Sequence, residues 1–330
     1  MNEGDSIMRY TNTFCNLIFW CLSFVSLSGI AQNFPTKPIR IIEPAGPGSA
    51  VDVFARQMAP GLSELLGQQV IIENRPGANS SIGAREVARS LPDGYNLLHG
   101  NVNNSLNDLL TQDECCLLNK ALLPVTRLNS SPLVMVVNPS VPANNLKEYI
   151  VLAKSKPKFV NAASGGTGSI TQLLGELIKK TADIQVQEVP YKAIGAELPD
   201  LLAGHVMTAF LAPAVVKQYI LTGKLRALGV AGSSRLVFLP DVPTLAEGGL
   251  VGVEAYGWNG LFVPAGTPKA VINKLQLAVS QVLSSKVIQD DAILQGYRTG
   301  GESSDEFATF VRAEVSKWGK VIKDANIKLE

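Results

Sequence analysis

The segment Ser164-Gly165-Gly166-Thr167-Gly168-Ser169 has residue types and spacing suited to holding an anion. It follows the strand-like Asn161-Ala162-Ala163 and leads into a run through residue 180 whose apolar positions recur at helical spacing. A strand, a tight turn and a helix are therefore predicted. The first N–H groups of a helix lack intrahelical partners and sit at the positive end of its dipole, where a negative group is favoured. Ser169 and Gln172 stand at capping-box spacing, which starts the helix at Ile170. The glycines let main-chain amides reach a ligand with no Cβ in the way.

Two other uses of such a turn stay open at this point. It recurs in α/β domains merely to pack a helix on a strand. It also approaches a dinucleotide fingerprint, although Thr171 stands where the third glycine belongs; Glu188 lies near the expected acidic position. No G-x-x-x-x-G-K-[ST] loop occurs.

Catalytic chemistry has little to work with. The chain holds two histidines: His99 at the end of a strand-like run, and His205 in the turn Gly204-His205-Val206. Packing or surface roles fit both. There is no H-E-x-x-H, no Cys-x-x-Cys and no G-x-S-x-G. Ser164 and Ser169 have no histidine nearby in sequence, and Glu176, Lys179 and Lys180 are spaced as a solvated helix face. No motif supports an enzyme, and no cofactor or metal is expected. The alternative left by the turn is a nucleotide-dependent α/β enzyme.

Residues 1–31 read as a cleaved signal peptide. Arg9 precedes an apolar run over residues 17–30, short for a membrane span, and Gly29-Ile30-Ala31 offers small residues to a signal peptidase. Glu3 and Asp5 are unusual in such a leader, and Met8 is the alternative start. The whole chain carries +1 and the leader −1, so the remainder carries +2. A near-neutral protein with 6% aromatic residues lacks the basic face of a nucleic-acid binder. About 300 residues suffice for two domains. Cys115 and Cys116 alone survive cleavage, and as neighbours they form no disulfide framework; free thiols are the expectation, with a vicinal disulfide or an intermolecular bridge as the alternatives.

Strand-like and helix-like runs alternate, which points to α/β architecture with largely parallel sheets. Ile39–Glu43 is a first strand, followed by a helix to Leu66 that Gly67 stops. Thr267 as N-cap and Pro268 in the first turn open a long helix, and Ser303 with Glu306 caps the last one. Residues 101–120 show no legible pattern. No internal tandem repeat or linker is evident.

Several phrases, in order along nearly the whole mature chain, resemble the periplasmic receptors of tripartite tricarboxylate transporters, the Bug or TctC-type family. They include Pro35-Thr36-Lys37-Pro38, residues 44–52 with Ala55-Arg56, Glu73-Asn74-Arg75-Pro76-Gly77, and Pro92-Asp93-Gly94-Tyr95. Val189-Pro190-Tyr191-Lys192, Pro240-Asp241-Val242-Pro243-Thr244 and Trp258 through Pro268 continue the series.

The resemblance implies a type II periplasmic-binding-protein fold, two α/β lobes with a ligand cleft between them. The implied division is 1–31 signal peptide, 32–132 plus 255–330 one lobe, and 133–254 the other. The implied role is that of a monomeric receptor, captured ligand and lobe closure delivering a small organic carboxylate to membrane permease subunits. A sensor-only receptor feeding a membrane kinase is the variant of this reading. Ligand-binding residues implied by the match are Gly48, Ser49, Asp52, Asn79 and Ser80 in one lobe, with Ser164, Gly165, Thr167, Gly168, Ser169 and Tyr191 in the other.

The chain departs from the family pattern at Ala45 for an aromatic, and at Ser49 and Ser80 for glycines. Gln172 stands for a histidine, Ala193 for a glycine, and Ala212 for an acid. Together these imply a more apolar pocket or a different carboxylate. Lys192 and Arg75 read mainly as structural, and Asp52 as a helix-start cap. Trp258 would either wall the cleft or fill the lobe junction.

Overall fold

The computed structural model describes residues 34–77, 80–111, 118, 120–157, 159–191 and 196–327. The proposed leader, Asn79, Cys115, Cys116, Lys192 and Ala193 lie outside the described residues. In chain order the first elements are β1 (Ile39–Glu43), α1 (Ala50–Leu66), β2 (Val70–Asn74), α2 (Ser81–Ala88), β3 (Asn96–Asn101), α3 (Val102–Thr111) and β4 (Leu122–Pro132). The middle holds β5 (Val134–Val137), α4 (Leu146–Ser155), β6 (Asn161–Ser164), α5 (Ile170–Ala182), β7 (Gln187–Pro190), α6 (Leu198–Ala203), β8 (Thr208–Leu211), α7 (Pro213–Leu221) and β9 (Arg226–Val230). The chain ends with β10 (Tyr256–Pro264), α8 (Lys269–Leu283), α9 (Lys286–Gln295), β11 (Arg298–Thr299) and α10 (Ser304–Asp324).

These strands form two sheets, one ordered β11-β4-β10-β3-β1-β2 and the other β7-β6-β8-β5-β9. Each is mixed, which corrects the expectation of largely parallel sheets. β1 pairs in parallel with β2 and β3, and β6 with β7 and β8, while β10 and β5 are antiparallel to both their neighbours. A strand built by a β-α-β crossover lies parallel to its predecessor. β5 and β10 instead enter from the other sheet, without that crossover.

The passage between sheets is held by main chain. Leu133 N–H donates to Ala255 O (3.0 Å), Ala255 N–H to Ala231 O (2.9 Å), and Ala231 N–H to Leu133 O (2.8 Å). All three residues are buried.

Local signals mostly act as their chemistry requires. Gly67 ends α1 in the left-handed conformation at φ 67°, and Ser303 and Glu306 form a reciprocal capping box on α10. Two helix expectations differ. Pro268 itself is the N-cap of α8, in extended conformation, and the Thr267 hydroxyl donates back to Pro264 O at 2.8 Å. The long helix that follows breaks at Ser284-Ser285 into α8 and α9.

Apolar side chains fill both faces of both sheets. One cluster joins Phe54, Met58 and Leu62 of α1 to Val271, Leu275 and Val279 of α8, and a second gathers around β8 and β9. The third runs continuously from Leu98 and Leu106 through Leu173 and Leu174 to Phe307 and Trp318. Thus α3, α5 and α10 share one core that touches both sheets.

Candidate functional site

The predicted site residues fall where strands of the two sheets end and helices begin. β1 delivers Gly48, Ser49 and Asp52, β2 delivers Ser80, β6 delivers residues 164–169, and β7 delivers Tyr191. Carboxyl ends of parallel strands are the usual edge for ligands in α/β sheets, because helix N-termini collect there.

Two of these turns are built alike. Gly46-Pro47-Gly48-Ser49-Ala50-Val51-Asp52 and Gly166-Thr167-Gly168-Ser169-Ile170-Thr171-Gln172 both read G-x-G-S-x-x-[DQ]. Gly48 and Gly168 have φ of 79° and 75°, open to glycine without strain. Ser49 and Ser169 are N-caps whose hydroxyls accept the N–H of Asp52 (3.4 Å) and Gln172 (3.3 Å). Each serine N–H donates to the first glycine's carbonyl, at 3.2 and 3.1 Å. The Asp52 and Gln172 side chains then reach past the N-cap to Gly48 N–H (2.9 Å) and Gly168 N–H (2.7 Å). The expected capping box on α5 is therefore displaced by one residue. This pattern occurs once in each sheet and is legible in the sequence as a spaced repeat, though not as a tandem one.

The turn amides are largely used internally. Gly165 N–H donates to Thr171 Oγ1 (2.8 Å) and Gly166 N–H to Ser164 Oγ (3.3 Å). The donors with no acceptor among the described residues are the N–H groups of Gly46, Ala50 and Val51 at the α1 turn, and of Thr167, Ile170 and Thr171 at the other. Each turn thus keeps one free donor in its loop, Gly46 or Thr167, and two in the first turn of its helix.

The two turns differ in charge. Asp52 is buried and accepts from Arg56 Nε (3.0 Å), Gly48 N–H and Asn74 Nδ2 (2.8 Å). The Arg56 hydrogen bond, aided by Gly48 and Asn74 against the cost of burial, holds its carboxyl down at about 2. Gln172 is neutral but carries the Glu188 carboxylate on its amide nitrogen, so an acidic group stands behind each helix start, paired with Arg56 at α1.

Glu43 organises the first sheet's loops from beneath. Its side chain accepts Ala45 N–H (3.2 Å) and meets His99 Nδ1, while its carbonyl accepts Arg75 N–H (2.8 Å). Ser80 is left-handed at φ 74° and gives no side-chain cap to α2. It is instead gripped by Asn101 Nδ2 at its hydroxyl (3.2 Å) and Asn104 Nδ2 at its carbonyl (3.1 Å). Neither Glu43 nor the asparagines stood out in sequence.

On the other sheet, Tyr191 donates its hydroxyl to Asp200 (2.7 Å) and its N–H to Ser164 O (2.8 Å). Burial, with Asp200 assisting, pushes its phenol up to about 12. Glu188 accepts from Ser164 Oγ (2.5 Å) and Gln172 Nε2 (3.2 Å).

Helix α3 connects the two regions. Its N-terminal end holds Ser80 through Asn104, and at its other end Leu110 Cδ1 sits where a Cβ on Gly168 would collide with it. Leu109 packs against Gly319 of α10, 3.3 Å from where its Cβ would be.

The remaining predicted features separate cleanly. Arg75 is paired with Glu73 (3.3 Å) and Glu86 (3.0 Å), matching a structural role. Trp258 is 1% exposed among Phe262, Phe307 and Phe310, so it fills the interior. A cavity of about 30 Å³ behind the α5 turn, lined by Ser164, Gln172, Glu188 and Phe210, has room for water but not for an organic acid. A groove of about 770 Å³ lies between the C-terminal parts of α5 and α10, beside the Lys180–Asp324 pair (2.5 Å). It is a helix length, roughly 20 Å, from the α5 start.

Comparison with known proteins resolves the class. The family model described as the tripartite tricarboxylate transporter family receptor matches residues 54–327. Protein BugT of Bordetella pertussis is 32% identical over 315 residues, covering 93% of this chain and 96% of that protein. Among solved structures, R. palustris Rpa4515 with adipate has a TM-score of 0.79 at 29% identity, covering 90% of this chain and 99% of its own. MatC (Rpa3494) from Rhodopseudomonas palustris with bound malate has a TM-score of 0.76 at 28% identity, covering 88% of this chain and 100% of its own. The two-sheet architecture is that of these binding proteins, and the nucleotide-dependent enzyme alternative falls away, since the family is one of solute-binding receptors. This chain belongs to the tripartite tricarboxylate transporter receptor family.

Proposed function

We propose that the paired G-x-G-S-x-x-[DQ] turns are the two jaws of a carboxylate site. Residues 32–132 with 255–330 form one lobe, and residues 133–254 the other. The first-turn amides of α1 and α5 hold the anion from opposite lobes, with Gly48, Ser49, Asp52, Ser80, Ser164, Gly165, Gly168 and Ser169 shaping the donors. Adipate and malate in two relatives are small carboxylates, which supports a ligand of that class. The acid favours closure by binding the closed form more tightly than the open one. In this reading the protein works as a periplasmic monomer after loss of residues 1–31, and hands its ligand to permease subunits.

The observation that carries the proposal is the recurrence of one amide-presenting turn in each sheet. A thermal-shift screen against mono-, di- and tricarboxylates, amino acids and NAD(P) tests it. A micromolar ligand at millimolar concentration adds about 4 kcal/mol to native stability. A shift confined to one carboxylate class is the expected result. A shift from NAD(P) alone would overturn the reading.

A further inference from the structure

A cavity of about 210 Å³ lies where the loop after β9 meets the end of α9 and β11. None of its lining residues belongs to the paired turns. Leu236, Phe238, Tyr256 and Tyr297 give it an apolar and aromatic wall, and Arg235 and Arg298 border it. A cavity of about 150 Å³ takes a benzene ring, so there is room here for a ring with a small substituent.

The two guanidinium groups are not equivalent. Arg235 is engaged by Glu247 Oε2 (2.9 Å) and the Pro240 carbonyl (2.9 Å). Arg298 is exposed and donates through Nη2 to the Ser234 hydroxyl (2.7 Å). It pairs with no carboxylate among the described residues, and its Nε and Nη1 find no acceptor there. Its planar fork of donors matches a carboxylate. An arginine on open surface needs no such partner; this one borders a concave apolar wall.

The groups that would oppose an anion are occupied. The carbonyls ending α9 form the negative end of its dipole, but Leu294 O accepts from Lys217 Nζ (3.0 Å) and Gly296 O from the Ser131 hydroxyl (3.2 Å). Lys217 also lies 4.6 Å from the Phe238 ring centre, adding positive charge beside the cavity. Asp291 accepts the Tyr297 hydroxyl (2.8 Å), and Glu247 is paired with Arg235.

We propose that this cavity is a second binding site, for a compact aromatic carboxylate whose anion pairs with Arg298 and whose ring lies among Phe238, Tyr256 and Tyr297. The site goes beyond the paired turns and does not depend on them. In the two-lobe division proposed above, Arg298 belongs to one lobe and Ser234 and Phe238 to the other, so an occupant touches both.

Calorimetric titration with benzoate tests the proposal, with benzamide as the neutral isostere and acetate as the ringless anion. Benzoate is expected to bind at least about 10-fold more tightly than either, which is the scale of one charged hydrogen bond or one buried ring. Arg298→Gln removes the charge and should lower benzoate affinity by about 10-fold or more, to the level of benzamide. Arg298→Lys keeps the charge without the fork and should fall between. Unfolding midpoints in urea verify that the variants are folded. No benzoate binding, equal binding of benzamide or acetate, or full affinity in Arg298→Gln would each overturn the site. Benzoate affinity lost in Ser169→Ala but kept in Arg298→Gln would place the acid at the paired turns, which overturns this site and leaves the carboxylate reading standing.

Discussion

Glu43 and His99 meet side chain to side chain in the interior, each 1% exposed, one residue beyond the paired Ile42 and Leu98 of β1 and β3. Through its other oxygen Glu43 takes the N–H of Ala45, so a buried polar contact stands directly under the loop that leads to Gly48 and Ser49. Removing one member of a buried pair leaves the other desolvated without compensation, whereas replacing both by apolar groups is often neutral. His99→Leu is therefore expected to cost about 3–5 kcal/mol. Glu43→Leu combined with His99→Leu should return most of it, as read from urea unfolding midpoints. Additive losses would show that the two side chains act independently.

Ser169 caps α5 through the Gln172 N–H. Ser169→Ala should lower stability by about 1 kcal/mol and weaken acid binding, because the first-turn amides lose their fixed orientation. Calorimetry on the variant separates the two effects. Lost stability with unchanged affinity would take Ser169 out of the site.

Asp52 supplies an acid-sensitive contribution. Its carboxyl is depressed in the folded protein to about 2, chiefly by Arg56. A depressed carboxylate contributes stability that is complete above the unfolded value near 4 and is lost as pH falls through the folded value. The loss should thus develop between roughly pH 4 and pH 2. Asp52→Asn should be less stable at neutral pH and show a shallower decline over that window in acid titration of the fold.

Gly168 combines two constraints that mutation can separate. At φ 75° an alanine is strained by about 1–2 kcal/mol, and its Cβ would also collide with Leu110. Gly168→Ala should destabilise by more than the backbone strain alone. Adding Leu110→Ala should recover the steric part and leave the strain. A double-mutant cycle with no coupling would show that the two residues do not touch in solution.

Much of this framework was legible in local chemistry. Gly67, Ser303 with Glu306, and Ser169 all placed helix ends, because capping and left-handed turns depend on neighbouring residues. Helix α3 was not legible, for the opposite reason. Its Asn104, Ser105 and Asn107 are buried polar residues of low helical propensity, satisfied by groups such as Ser80 and Ser81 from a distant loop. The same limit hid Glu43 and His99, whose pairing exists only once β1 and β3 lie side by side. It also hid the use of the Gly48 and Gly168 amides, since sequence gives the spacing of Asp52 and Gln172 but not which N–H they claim. The family resemblance pointed to the loops, while the hydrogen-bond accounting left one free donor in each loop and two in each first helical turn.

The closed ring of Leu133, Ala231 and Ala255 is made entirely of peptide groups, with no side chain taking part. Its geometry is therefore indifferent to most substitutions that keep those positions small or apolar. The two turns, by contrast, depend on side chains, with Asp52, Ser49, Gln172 and Ser169 each holding a main-chain N–H. Substitutions around the turns can therefore accumulate without disturbing the passage between the sheets, and a protein engineer can expect the same separation.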